Sequence, residues 1–121
     1  MISLTPRVRN FWAVINFTSA EVTYREYFNS DVIIVEQADG AKASGRVTPT
    51  NKNDGPRYSF TPICRGDLFK QVAEVIAINL NINRPLFLYL RLKDYGAGTV
   101  IDLIDILEYV LDASHHLHLQ D

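Results

Sequence analysis

Histidine and cysteine are the residue types best suited to metal binding or nucleophilic chemistry, and the chain has three histidines and one cysteine. Asp112, His115 and His118 lie three residues apart, so a helix continuing through them would place all three on one side. A carboxylate and two imidazoles at this spacing are ligands for zinc or nickel. Because the tract lies at the chain terminus, where helices fray, we predict adventitious metal binding there and no resident metal or cofactor.

Cys64 lacks the surroundings of a catalytic nucleophile, because every histidine that could act as its base lies at positions 115–118. The segment Gly96-Ala97-Gly98 fits a strand-to-helix turn, since the third glycine and the downstream acid of a dinucleotide site are missing. Carboxylates on the last predicted helix lie on a convex surface, whereas acid–base catalysis needs a desolvated cleft. We identify no catalytic constellation, so we favour a protein that is not an enzyme and keep catalysis as the third hypothesis.

A predicted helix at 99–113 carries a stripe of carboxylates spaced three, three and four residues apart: Asp102, Asp105, Glu108 and Asp112. Residues 94–121 contain six acidic residues and no lysine or arginine, so they carry −6, whereas residues 1–93 carry +4 and the whole chain −2. Like charges at helical spacing repel by about 0.2 to 0.5 kcal/mol per pair. A basic protein surface, or the basic part of the same chain, would relieve this repulsion. A solvated acidic face without a partner is the alternative.

The same helix is more apolar than contact with one sheet requires. Eight aliphatic residues between Val100 and Leu111 cover more than the usual apolar stripe of about 100°. We therefore expect Leu107 and Leu111 to lie on an outward flank and to contact a second copy of the chain, most simply in a two-fold dimer. The predicted partner-binding residues are Asp102, Asp105, Glu108, Asp112, Leu107 and Leu111.

A second candidate surface lies on the predicted strand 86–93, in which leucines alternate with aromatic and basic residues. Its non-leucine face carries Phe87, Tyr89, Arg91 and Lys93. Aromatic rings stack on bases and cations neutralise phosphates, so this face predicts single-stranded nucleic-acid binding as the alternative function. The competing interpretation is that the two aromatic rings pack against another part of the protein.

Length and composition indicate one domain, 1–121, of a soluble globular protein: 121 residues, 47% hydrophobic and 21% charged. With one cysteine, Cys64, no intrachain disulfide forms, which predicts a cytoplasmic protein. The longest apolar-rich stretch, 68–82, is interrupted by polar residues and falls short of the ~20 apolar residues of a membrane span. We therefore expect no contact with membranes.

Hydrophobic periodicity predicts an α+β fold with a mostly antiparallel sheet and two main helices, at about 66–82 and 99–113, packed on one of its faces. Asp67 is the expected N-cap of the first helix. The predicted strands lie at 11–17, 31–37, 42–48, 57–63 and 86–93. Asp39-Gly40 predicts a tight hairpin between the second and third of these. Turn-forming and polar residues at about 49–56 predict a mobile loop.

Residues 19–29 fit two structures. Val22, Tyr24, Glu26 and Phe28 alternate as in a strand. Thr18 with Glu21 resembles a helical capping box, and Ala20, Tyr24, Tyr27 and Phe28 share one helical face. We favour a short third helix here and retain the strand as the alternative.

Together these features predict a small association module without enzymatic activity. It would act as a homo-oligomer or as an inhibitor-type or adaptor-type protein binder, using the acidic, aliphatic-rich C-terminal helix.

Overall fold

The computed structural model describes residues 7–50 and 57–119, with side chains described through residue 112. These residues form six strands and two helices: β1 (Arg7–Ile15), β2 (Thr18–Glu26), β3 (Asp31–Glu36), β4 (Ala41–Pro49), β5 (Tyr58–Cys64), α1 (Gly66–Asn79), β6 (Leu86–Leu92) and α2 (Ala97–Leu119). The predicted α+β class is confirmed. Most of the predicted loop at 49–56 lies outside the described residues. Neither helix, over its described residues, is long and apolar enough to cross a bilayer.

The strands form one sheet in the order β1-β2-β3-β6-β4-β5. β3 and β6 are parallel, and every other neighbouring pair is antiparallel. β6 follows α1 in the chain and enters between two strands formed much earlier in the sequence. The centre of the sheet therefore depends on contacts between distant segments.

One face of the sheet packs against both helices and forms the core. Leu86, Leu88, Leu90 and Leu92 alternate along β6, and all four are buried on this face, as their period of two predicts. Buried residues of the neighbouring strands lie beside them: Val22, Tyr24, Ile33, Val35, Ala43 and Val47. From the helices come Phe69, Val72, Ile76, Leu103 and Leu107, among others.

Residues 19–26 belong to a strand, so the short helix that we favoured over 19–29 does not form. β2 pairs over its full length with β1, from Arg7 opposite Glu26 to Ile15 opposite Thr18, and also pairs with β3. Burial alternates along it, because Ala20, Val22 and Tyr24 face the core. Two neighbouring strands satisfy its backbone groups, and this outweighs the local capping pattern that favoured a helix.

The β1–β2 hairpin turns through Asn16 and Phe17, both with positive φ, 48° and 65°. Two such residues are what a two-residue type I′ turn requires. Phe17 was predicted as the last residue of the strand at 11–17, yet it lies in the turn with 96% of its surface exposed. β1 is an edge strand, so only one of its faces is covered.

The hairpin predicted at Asp39-Gly40 does not form between the strands on its two sides. A turn is present, with Asp39 at φ 59° and the Gly40 amide donating to the Gln37 carbonyl at 3.2 Å. However, β6 lies between β3 and β4, so these strands do not pair. β4, predicted as a strand at 42–48, is interior to the sheet and buries Ala43 and Val47.

Both helices differ from their predicted bounds. α1 begins at Gly66, and its N-cap is Arg65 in the left-handed conformation, φ 50°, rather than Asp67. It ends at Asn79 because Leu80 is extended. α2 begins two residues earlier than predicted, and its backbone continues to Leu119.

Gly45 on β4 lets α1 approach the sheet closely, since an added Cβ would clash with the ring of Phe69. Phe69 is fully buried, so its ring has no space into which to move. We predict that Gly45→Ala lowers the free energy of unfolding by about 1 to 3 kcal/mol through overpacking. Urea denaturation followed by circular dichroism would measure the change.

Gly98→Ala is the matched control. An added Cβ at this helical position meets only the Asn16 side chain, at 3.6 Å. Alanine favours helix, so stability should stay equal or rise by up to about 1 kcal/mol. Equal stability of both variants would contradict the close packing of Gly45 on Phe69.

Candidate interaction surface

The second face of the sheet is covered by no other element among the residues that the structure describes. We call it the open face. Strand register aligns its side chains into three rows across the sheet, named here by their residue on β6: the Phe87 row, the Tyr89 row and the Arg91 row. Each row draws on strands that are far apart in sequence.

The Phe87 row has an apolar centre between two arginines. Val32 on β3 lies beside Phe87, and both are half-buried. Arg25 on β2 flanks them on one side and Arg46 on β4 on the other. The guanidinium of Arg46 lies over the ring of Phe87, 5.9 Å from its centroid, within the range of a cation–π interaction.

The Tyr89 row continues the apolar centre. Ile34 on β3 is the register partner of Tyr89, whose side chain is 39% exposed. Val32, Ile34, Phe87 and Tyr89 therefore form a patch over the two central strands, which we call the central patch. The four residues of this patch line a shallow depression of about 500 Å³, together with Arg25, Tyr27 and Ser30.

The Arg91 row separates charges across the open face. Glu21 on β2 lies beside Glu36 on β3, and Arg91 on β6 lies beside Lys42 on β4. Like charges in directly neighbouring strands are destabilising, and this row contains two such pairs. Trp12, 69% exposed, ends the row on the acidic side. One half of the row is thus acidic and the other half basic.

Of the residues predicted from strand 86–93, Phe87, Tyr89 and Arg91 share the open face, as their period of two indicates. Lys93 lies past the end of β6, with its side chain exposed and its amide donating to Gln37 Oε1 at 3.0 Å. The residues that complete the surface, such as Trp12, Glu36 and Arg46, were not predicted. For Trp12 the alternation of Val8, Trp12 and Val14 with core-facing residues was a usable signal.

The acidic stripe of α2 divides into an internal and an exposed part. Asp102 accepts a hydrogen bond from the Asn16 backbone amide at 2.8 Å and so supports the β1–β2 turn. Asp105, Glu108 and Asp112 are exposed on the outer side of α2. They form no ion pair with the side chains that the structure describes.

Leu107 and Leu111 do not lie on an outward flank as predicted. Leu107 is fully buried and Leu111 nearly so, because α2 packs against the sheet and contacts α1. Among the described side chains of α2, the large exposed apolar residues are instead Ile101, 59% exposed, and Tyr109, 62% exposed. Contact with a second neighbour, α1, accounts for the wide apolar surface that led to the prediction.

The candidate metal ligands are only partly described. Asp112 is exposed, whereas the side chains of His115 and His118 lie outside the described residues. Over the remaining side chains, no group of three His, Cys, Asp or Glu residues is placed to hold an ion. Cys64 is a half-buried free thiol.

The segment before α2 is fixed by Asp94, whose carboxylate accepts three hydrogen bonds. The donors are the Gly96 amide and the Thr99 hydroxyl, each at 2.8 Å, and the Asn16 side chain at 3.1 Å. The Gly96 bond is the main reason that the pKa of Asp94 lies below its ordinary value, followed by the bonds from Thr99 and Asn16. Asp94 and Asp102 thus join the start of α2 to the β1–β2 turn.

The chain matches no family model and no curated protein sequence. It is similar to a chain of a solved structure described as a novel chaperone complex for yeast 20S proteasome assembly, with 13% sequence identity and a TM-score of 0.47. The likeness covers 93% of this chain and 96% of that one. A similarity this distant carries no argument about function.

The internal role of Asp102 gives a test. We predict that Asp102→Ala lowers the free energy of unfolding by about 1 kcal/mol, because the Asn16 amide loses its charged acceptor. Asp105→Ala on the exposed side should leave stability unchanged or raise it slightly as repulsion along α2 is relieved. Thermal denaturation of both variants measures the difference. Equal effects would show that Asp102 is as solvated as Asp105.

The lowered pKa of Asp94 predicts a pH dependence. A carboxylate whose pKa falls on folding contributes stability above its unfolded pKa of about 3.9, and this contribution is lost as pH falls through the lower folded pKa. Asp94→Asn should therefore reduce stability at pH 6 and flatten the loss of stability below about pH 4. Midpoints of thermal unfolding between about pH 2 and pH 6 measure this. If the variant lost stability below about pH 4 as steeply as the wild type, this would contradict the role of Asp94.

Proposed function

We propose that the chain is a protein-association module without enzymatic activity and that its open face binds a protein partner. One observation carries the proposal: the central patch of Val32, Ile34, Phe87 and Tyr89 lies uncovered at the middle of the sheet. Exposed apolar groups of this kind at the centre of a surface, with charged groups around them, are typical of protein interfaces.

The two strands that carry the central patch are held rigidly by their neighbours. β3 and β6, which carry it, are each hydrogen-bonded to a strand on both sides. Their opposite face is packed against the helices, with Ile33, Leu88 and Leu90 buried. Side chains on such a support lose little backbone freedom on binding, which lowers the entropic cost of association.

The charges around the central patch would orient the partner. In the three rows, four basic and two acidic side chains surround the apolar residues: Arg25, Lys42, Arg46, Arg91, Glu21 and Glu36. Aromatic and arginine side chains are the residue types that dominate binding energy at protein interfaces. The surface therefore provides both an apolar anchor and a directional pattern of charge.

A catalytic role finds less support in the described residues. A depression of about 720 Å³ lies between the end of α1 and β5. It contains one carboxylate, Glu74, and one arginine, Arg57, and neither histidine nor cysteine is among its lining residues. This set lacks the paired groups that general acid–base or nucleophilic catalysis uses.

The outer side of α2 is a second candidate surface for a basic protein partner. Ile101, Asp105, Glu108 and Asp112 lie along one stripe of the helix, and Tyr109 lies beside it. All five are exposed. Because Leu107 and Leu111 are buried, the apolar part of this contact falls to Ile101 and Tyr109. This surface is smaller than the open face and has fewer aromatic residues.

Single-stranded nucleic acid is the alternative ligand, favoured by the exposure of Tyr89 among arginines. Two features of the open face favour a protein instead. The guanidinium of Arg46 already lies over the Phe87 ring. Glu21 and Glu36 lie on the same face and would repel phosphates.

A photo-crosslinking amino acid at position 89 tests the proposal in the cells that make the protein. We expect a covalent adduct with one defined protein, identified by mass spectrometry, because Tyr89 lies at the centre of the open face. The same amino acid at position 78 is the control, since Ile78 is exposed on α1, away from the sheet. Adducts with nucleic acid, or equal adducts at both positions, would contradict the proposal.

A further inference from the structure

We propose that the partner of the open face is a second copy of this chain, bound face to face about a two-fold axis that runs between β3 and β6, along the strands. This inference rests on the proposed function of the open face and names its partner. It is carried by the charge pattern of the Arg91 row, because that pattern is complementary to itself under this operation.

The operation exchanges the two halves of the sheet. β3 of one copy lies over β6 of the other, and β2 lies over β4. Glu36 then faces Arg91 of the second copy, and Glu21 faces Lys42 of the second copy. Each acidic neighbour pair, unfavourable within one chain, meets a basic neighbour pair. The dimer thus compensates two like-charge contacts in each copy.

The same arrangement buries the central patch of each copy. Ile34 faces Tyr89 of the second copy, and Val32 faces Phe87 of the second copy, so the two central patches cover one another. Arg25 faces Arg46 of the second copy, which is the one unfavourable contact in the three rows. Both arginines are exposed and border the patch, so their charged ends can turn outward to solvent.

The natural twist of sheets does not disturb this pairing. Two sheets that pack face to face cross at about 30° and lie about 10 Å apart. The Arg91 row lies two residues, about 6.6 Å, from the middle row, so the crossing shifts it sideways by about 3.3 Å. That shift is smaller than the strand spacing of about 4.8 Å, and the long side chains of glutamate, lysine and arginine span it, so the acidic pairs stay within reach of the basic pairs.

The alternative two-fold axis, perpendicular to the strands, fits less well. It places each strand over its own copy and the Arg91 row over the Phe87 row. Glu21 would then face Arg25, which is a favourable contact. However, Glu36 would face the aliphatic Val32, and Lys42 would face Arg46 with like charge. The open face is also large enough for a small interface: six strands and seven residues give a projected area of roughly 550 Å², about two thirds of the ~800 Å² per partner of a standard interface.

A mixing experiment tests the inference. The contact to be tested joins residue 36 of one copy to residue 91 of the other. Glu36→Arg makes both of these residues basic, and Arg91→Glu makes both of them acidic. Each variant alone should show a dissociation constant raised by about ten-fold or more, since two symmetry-related pairs become repulsive at once. An equimolar mixture should recover the dimer as a heterodimer. Native mass spectrometry resolves it, because the two chains differ in mass.

Mixing separates contacts between copies from contacts within one chain. Glu36 and Arg91 are also neighbours within the sheet, and each variant keeps its internal repulsion in the mixture. Recovery therefore reports only the contact between copies. Glu74→Arg, the same change on the exposed side of α1, should leave dimerisation unaltered. If Glu36→Arg does not fold, Glu21→Lys and Lys42→Glu supply the second complementary pair.

The outcomes distinguish this inference from the proposed function. A wild-type chain that stays monomeric at about 100 µM would contradict the inference that the partner is a second copy. In that case, an adduct at position 89 with a different protein would still support the open face as a binding site. A dimer that both single variants leave intact overturns the face-to-face arrangement and favours edge pairing of β1. Absence of any protein adduct at position 89 overturns the proposed function itself.

Discussion

The pairing of β3 with β6 is the constraint on which the rest of the structure depends. Buried polar side chains fix both ends of this parallel pair. At one end, Arg84 donates two hydrogen bonds to Asp31, and those bonds are the main reason that the pKa of Arg84 is raised. At the other end, Gln37 accepts from the Lys93 amide and donates to the carbonyls of Ile15 and Thr18. A slip of β6 would leave these buried groups without partners.

That register also decides the chemistry of the open face. Because successive side chains point to opposite sides, a slip by one residue would turn Leu88 and Leu90 outward and Tyr89 and Arg91 into the core. The core and the candidate interface are therefore specified together. The interactions of Asp31 and Gln37, at the two ends of the parallel pair, place Glu36 beside Arg91 and so create the charge pattern of the Arg91 row.

Elements with a strong local pattern were predictable, and those fixed by distant pairing were not. The leucine alternation of β6 and the helical periodicity of α1 each report one buried face, so both were found within a few residues. β2 was misassigned because Thr18 and Glu21 satisfy a local helical rule, whereas its real partners are two other strands. Likewise, Phe87, Tyr89 and Arg91 were predicted as one face from a single strand. Their neighbours Glu36 and Arg46 required the strand order, which local sequence does not contain.

The uneven charge along the sequence becomes an uneven charge between two sides of the molecule. The three rows of the open face carry a surplus of basic residues, and the outer side of α2 carries Asp105, Glu108 and Asp112. Stacking an open face on the α2 side of the next copy would be attractive, and such heterologous contacts extend into filaments. In the proposed two-fold dimer, both open faces are instead buried in the interface, and the acidic helix α2 of each copy lies on an outer side. Repulsion between those acidic sides opposes further growth, so the same carboxylates that destabilise α2 would keep the assembly closed.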